Sequence, residues 1–245
     1  MVAPIPKTKA KEIIEFFFEL YVSDKDPSEF QARRILREID STIQSGVDLG
    51  LAWLCKGLYF SYMSDPEQMD SAFKNSIIYG ATDANSYFNR ASQYQAYGYF
   101  DEAMYGYFLN SDEDSYDEMH RILRSTLDLE KYKDYFPDIK HQTNNEKFLE
   151  NLKNCNLDIS DLKICLDILL DILRIKKVRF CLDRYSLYQN EYALYFGIKS
   201  ENDDIIGEIL NDYDDRTGTL DLFEKSRRLN IIMFLHTSSP ERISA

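Results

Sequence analysis

AWLCKGLYF, residues 52–60, decides the reading together with its echo SYFNRASQY, residues 86–94. In both, a large ring (Trp53, Tyr87) is followed four residues later by a small residue (Gly57, Ala91) and three further on by a second ring (Phe60, Tyr94). Positions three and four apart share one helix face, so each copy is a stripe whose small residue lets a neighbouring helix come close. The copies stand 34 residues apart, which repeats a whole helix hairpin.

Outward from these stretches the helical spacing continues. Residues 8–22 and 28–45 carry apolar positions at three- and four-residue intervals beside Thr, Ser or Pro, and predict a helical hairpin. Further helices are predicted over 49–63, 67–79, 83–97 and 101–109, with breaks at Ser64-Asp65-Pro66, at Gly80 and at Gly98. The short connections make successive helices antiparallel neighbours.

The second unit resembles a tetratricopeptide repeat or its Sel1-like relative, through Tyr87, Ala91, Tyr94, Gly98, Phe100, Ala103 and Tyr107. The first matches through Trp53, Gly57 and Phe60, then through Ala72 if its turn is about two residues longer. Lys56 and Arg90 stand where the family has leucine, Asn110 replaces the late alanine, and no closing proline follows. The resemblance covers residues 28–125 and implies stacked helix pairs whose first helices line a peptide- or protein-binding groove. By position, it implies as groove residues Leu54 and Leu58 from the first unit and Asn85, Phe88, Ser92 and Gln95 from the second. For Leu54 and Leu58, burial between stacked hairpins is an equal reading.

Residues 116–136 predict another helix, ending at Pro137, and the polar DIKHQTNNE, residues 138–146, reads as a linker or long loop. A boundary is therefore expected near 140, dividing a repeat domain, 1–140, from a C-terminal domain, 141–245. Helices are expected over 145–154 and 160–176, the second with Ser160 as N-cap. Beyond, LYFGIKSENDDIIGEIL from Leu194 aligns without gaps on LDLFEKSRRLNIIMFLH from Leu220, and this pair resembles two ankyrin repeats over residues 190–237. The period is 26 residues, shorter than that family's, and Glu201 and Arg227 replace its turn glycine. DYDDRTGTL, residues 212–220, is then a polar turn between the two units. The alternative makes KVRFCLDRY and NIIMFLHT strands of a small α+β part, since β-branched and aromatic residues dominate both. The expected fold is all-α, stacked antiparallel helix hairpins, with that small α+β part as its variant.

Charge and composition limit the function classes. Over 245 residues, 44% are apolar and the net charge is −13. An acidic balance argues against nucleic acid, whose phosphates call for clustered Lys and Arg. No apolar run approaches the roughly 20 residues that span a bilayer, and the N-terminal segment lacks the apolar core of a secretory signal. A cytoplasmic location is expected, with signal-independent secretion left open. Residues 63–118 hold eleven acidic residues against two basic ones, Lys74 and Arg90, and 53–108 hold fifteen aromatics. Such a segment suits a cationic or Arg-bearing partner, or else rings fill a core and acids solvate its outside.

No catalytic constellation emerges. Ser71 and Lys74 have a Ser-x-x-Lys spacing without the partner motifs of acylases. The four cysteines (55, 155, 165, 181) show no metal-binding spacing and read as buried thiols. His120, His141 and His236 are far apart, and His120, beside Glu118 and Arg121, reads as a solvated surface residue. No metal, cofactor or enzymatic activity is expected. The expected function is an interaction module binding a basic protein or peptide. The alternatives are an immunity protein or antitoxin that neutralises a basic toxin, and a secreted bacterial effector built from eukaryotic-type repeats.

Overall fold

The computed structural model describes residues 8–23, 27–136, 139–188, 191–200, 202 and 204–235. Among them run α1 Lys9–Ser23, α2 Glu29–Ser45, α3 Leu49–Tyr62, α4 Pro66–Ile78, α5 Ala84–Ala96, α6 Phe100–Asn110, α7 Glu113–Thr126, α8 Leu129–Tyr132 and a 3-10 turn Lys133–Tyr135. Then come α9 Ile139–Asn154, α10 Ile159–Ile175, β1 Arg179–Tyr188, β2 Glu191–Lys199, α11 Ile205–Thr217, α12 Leu220–Ser226 and β3 Leu229–Leu235. The chain is thus mostly helical, with many helix hairpins and a small C-terminal sheet. It separates into two compact units, one reaching Gln93 and the other starting at Tyr94, so the junction lies within α5. Residue 140, the boundary expected from sequence, lies inside the second unit at the start of α9.

In the first unit, α2 opens with a capping box in which the Gln31 N–H donates to Ser28 Oγ (3.3 Å) and the Ser28 N–H donates to Gln31 Oε1 (2.9 Å). It closes on Gly46, at φ +73, a left-handed turn position that favours glycine. The core gathers Ile13 and Phe17 of α1, Ile35 and Ile39 of α2, Leu54 and Leu58 of α3, and Met69 and Phe73 of α4. The repeated stripe has the physical role its spacing predicts. A Cβ on Gly57 would stand 2.2 Å from the Phe73 ring, so α3 and α4 meet only because position 57 has no side chain. Ala91, its counterpart, is fully buried. Arg90, where the family places leucine, is buried too, and its Nη1 donates to Ala81 O (2.8 Å) and Ser76 Oγ (3.1 Å) across the α4–α5 turn.

In the second unit, α10 is the central helix and buries Leu162, Leu166, Leu169, Leu170 and Leu173. Helices α7, α11 and α12 pack on it. Ion pairs border these packings: Lys176 with Asp212 (3.0 Å) and Glu208 (3.3 Å), Arg216 with Asp171 (2.7 Å), and Lys225 with Asp161 (2.7 Å). The sheet order is β1-β2-β3, with β1 antiparallel to β2 across a bulge between Leu182 and Arg184, and β3 parallel to β2. Tyr192, Leu194, Phe196 and Ile198 alternate along β2 and are all fully buried, so one sheet face belongs to the core.

Six expectations are corrected. The two ankyrin-like segments have unlike structures, since Leu194 lies in a strand and its match Leu220 in a helix, while Ile205 opens a helix and its match Ile231 lies in a strand. The strand alternative holds there, so the fold is not all-α. Residues 212–217 are the last turns of α11, not a loop. Most of DIKHQTNNE belongs to α9. The helix expected over 116–136 ends at Thr126, where Leu127 turns left-handed at φ 56, before α8 begins. Helix α10 is capped by Asp158, not Ser160: the Asp158 carboxylate accepts the N–H groups of Ser160 (2.8 Å) and Asp161 (3.3 Å), two and three residues on.

Helix α7 has a similar cap, Asp112, which accepts the Ser115 N–H at 2.8 Å. Asp112→Ala is expected to lower stability by about 1 kcal/mol, with Asp112→Asn retaining most of it; thermal denaturation of both variants checks this, and an unchanged alanine variant would refute the cap.

Candidate functional site

Two of the six residues implied by the groove resemblance are buried. Leu54 and Leu58 are 0% and 4% exposed and sit in the first unit's core. On the same unit's part of α5, Asn85 is exposed and Phe88 and Ser92 are half-buried. The Ser92 hydroxyl donates to Asn89 O (3.0 Å) and accepts from Gln93 Nε2 (3.2 Å). Gln95 belongs to the second unit, where its amide donates to Glu118 Oε2 (2.9 Å) and accepts from the Tyr107 hydroxyl (2.6 Å). Its side chain ties α5, α6 and α7 together.

The acidic run has a local cause. Of the eleven carboxylates in residues 63–118, Asp65 and Asp112 are N-caps, Glu67, Asp101, Glu102, Glu113 and Asp114 lie in first helical turns, and Asp83 accepts the Ser86 N–H. This stretch contains four helix starts, and helix N-termini favour negative charge. Hydrogen bonds show in the titration of these groups. Burial works against the charged form of Asp112, but donors on Ser115 and Asn110 outweigh it and hold the carboxyl below its usual range. The two basic residues, meanwhile, are engaged within the protein: Lys74 pairs with Asp70 (2.7 Å) and Arg90 is buried.

Carboxylates and aromatic rings adjoin one another in the second unit, on residues the resemblance did not indicate. Tyr105 of α6 is 54% exposed. Half-buried Phe108, one turn on, packs edge-on against half-buried Tyr135 (5.5 Å between centroids). Burial raises the Tyr135 phenol above its usual range, and the nearby Asp101 and Tyr105 add to the shift. Asp101 accepts from the Tyr132 hydroxyl (2.9 Å) and pairs with Lys131 (2.6 Å), whose ammonium lies 5.1 Å from the centre of the Tyr132 ring. One lysine thus meets a carboxylate and an aromatic ring at once. Glu102 shares a helix face with Tyr105, three residues on.

A second constellation contradicts the expectation that His120 is solvated. His120, His141 and Asn145 are 5%, 4% and 9% exposed. His120 Nδ1 bonds Asn145 Oδ1 (2.8 Å), and His120 Nε2 bonds His141 Nδ1 (3.0 Å). His141 stacks on Tyr116 (4.2 Å) and His120 on Phe136 (4.8 Å). The carbonyl oxygen of Asn145 only accepts, so His120 Nδ1 carries a proton; neutral His120 Nε2 then accepts, and His141 Nδ1 donates to it. Burial pushes the His120 imidazole below its ordinary range; the Asn145 bond and Asp117 oppose this, while Arg124 and His141 reinforce it. His236 lies outside the described residues.

Burial likewise pushes the Cys55 thiol up to about 12, which leaves it un-ionised at neutral pH. Among the described residues no three His, Cys, Asp or Glu side chains are grouped to hold a metal ion. No helix among them is long and apolar enough to cross a membrane. No known protein family, curated protein or solved structure matches the chain.

Proposed function

We propose that the chain is a non-catalytic interaction module of tetratricopeptide- or Sel1-like character, which binds a basic protein or peptide on the Asp101, Glu102, Tyr105, Phe108 and Tyr135 surface. The observation that carries this reading is Lys131, whose ammonium is held by the Asp101 carboxylate over the Tyr132 ring. A lysine or arginine from a partner meets the same chemistry at the neighbouring exposed Tyr105, where carboxylate attraction and the ring face act together. The hairpin of α3 and α4, closed at Gly57, supports the repeat character.

The test uses a fluorescent lysine- and arginine-rich peptide and the full chain. Binding is expected to weaken at least about tenfold between low and high salt, because exposed charges are screened. Tyr105→Ala is expected to cost about 1 kcal/mol, near fivefold in Kd. Neutralisation of the exposed Glu102 by Gln is expected to slow association more than it speeds dissociation. Salt-independent binding, or a Tyr105 variant that binds as the parent does, would overturn the proposal.

A further inference from the structure

The histidine pair lies where α7 and the first half of α9 meet. Two kinds of contact hold α9 there. Its second half is anchored by apolar residues: Leu152 is fully buried, and Phe148 packs on Tyr185 (5.5 Å) and Tyr192 (6.1 Å). Its first half is held by polar groups: His141 and Asn145 on His120, the Gln142 amide donating to Phe136 O (2.8 Å), and the exposed Lys140–Glu113 ion pair (2.6 Å).

We infer that His120 and His141 form a proton-operated latch that fastens the first half of α9 to α7 and opens when the pair takes up its second proton. One proton is compatible with the closed geometry, since an imidazolium N–H can donate to a neutral imidazole across the 3.0 Å contact. Two are not. Both facing nitrogens then carry hydrogen, and two cations share a site walled by Tyr116 and Phe136.

Among the described residues, most charged groups on the packed elements are engaged with one another. On α7, Asp117 favours the charged form of His120 and Arg124 disfavours it; Glu118 pairs with Arg121 (3.0 Å), and Glu113 with Lys140 of α9. In the segment before α9, Phe136 is uncharged and Lys133 pairs with Glu130 (3.1 Å). From β1, Tyr185 carries the Arg124 guanidinium over its ring (4.7 Å). The sign follows from linkage. His120 titrates lower folded than unfolded, so the unfolded chain binds more protons in between. The stability it contributes is full above the ordinary imidazole value of about 6.5, and is lost as pH falls from there through the lowered folded value.

Opening would uncover Tyr116, Phe136 and the imidazoles while Phe148 and Leu152 stay docked. The test is amide hydrogen exchange on the full chain at about pH 7.5 and about pH 5, within the range where imidazoles titrate, corrected for intrinsic rates. Exchange in residues 140–147 is expected to accelerate about threefold or more at the lower pH, with residues 148–154 and the α3–α4 hairpin unchanged. His141→Phe keeps a ring against Tyr116 and removes the second imidazole, so the acceleration is expected to be clearly smaller in it, with only the burial of His120 left to oppose its charge. Ring NMR of the parent protein provides a check that no variant can spoil: His120 is expected to titrate below an ordinary imidazole. Uniform acceleration across α9, acceleration undiminished in His141→Phe, or a His120 ring that titrates at an ordinary imidazole value would each overturn the latch.

Discussion

Replacing Gly57 by valine is expected to destabilise the first unit by about 3 kcal/mol, at the upper end of what overpacking a core costs. Even a single Cβ at this position would fall 2.2 Å from the Phe73 ring, and Phe73, fully buried, has no solvent side to swing toward. The strain belongs to the pair, so trimming the ring should relieve it. Gly57→Ala and Phe73→Leu are expected to be less damaging together than the sum of the two alone. Urea denaturation of the four proteins in that cycle measures the coupling. Strict additivity would mean that α3 and α4 do not meet at this point.

Phe196→Ala is expected to cost about 3–5 kcal/mol, as removal of a fully buried ring does. Phe196 lies on the inner face of β2 and packs edge-on against Phe180 (6.0 Å). Its neighbour Tyr195 points to the other face, where its half-buried ring lies under the Arg184 guanidinium (4.4 Å). Tyr195→Ala is therefore expected to cost about 1 kcal/mol or less. The contrast between adjacent residues tests the strand directly. Equal losses would contradict the alternation that assigns one face of β2 to the core.

The N-terminal helices were legible because their apolar residues recur at helical spacing and their turns carry Gly80, Gly98 and Pro66. The C-terminal repeat misled for a physical reason. A gapless match between Ile205-Ile206 and Ile231-Ile232 records hydrophobicity, not period, and isoleucine serves both α11 and β3. The period was present elsewhere, in Tyr192, Leu194, Phe196 and Ile198 at every second residue. Helix α9 was hidden differently. Its inward stripe is His141, Asn145, Phe148 and Leu152, a true helical spacing whose first half is polar. Polar residues read as solvent-facing until a partner is known, and His120 is 21 residues away in sequence. The same limit concealed the proposed binding surface: Tyr105 and Tyr135 are ordinary aromatics in a ring-rich chain, and only burial distinguishes the exposed Tyr105 from buried Tyr97 and Tyr107.

The parallel pairing of β3 with β2 has a consequence for synthesis on the ribosome. Tyr192 pairs with Leu229 and Ile198 with Leu235, with both α11 and α12 in the intervening chain. A nascent chain can close the β1–β2 hairpin early, but one long side of β2 has no mate until residue 235 has left the exit tunnel. During that delay an uncovered strand edge, with apolar residues on its inner face, faces the crowded cell. A ribosome stalled before residue 229 would release a polypeptide whose unsatisfied edge invites pairing with other chains, so full translation through β3 is itself a safeguard against aggregation.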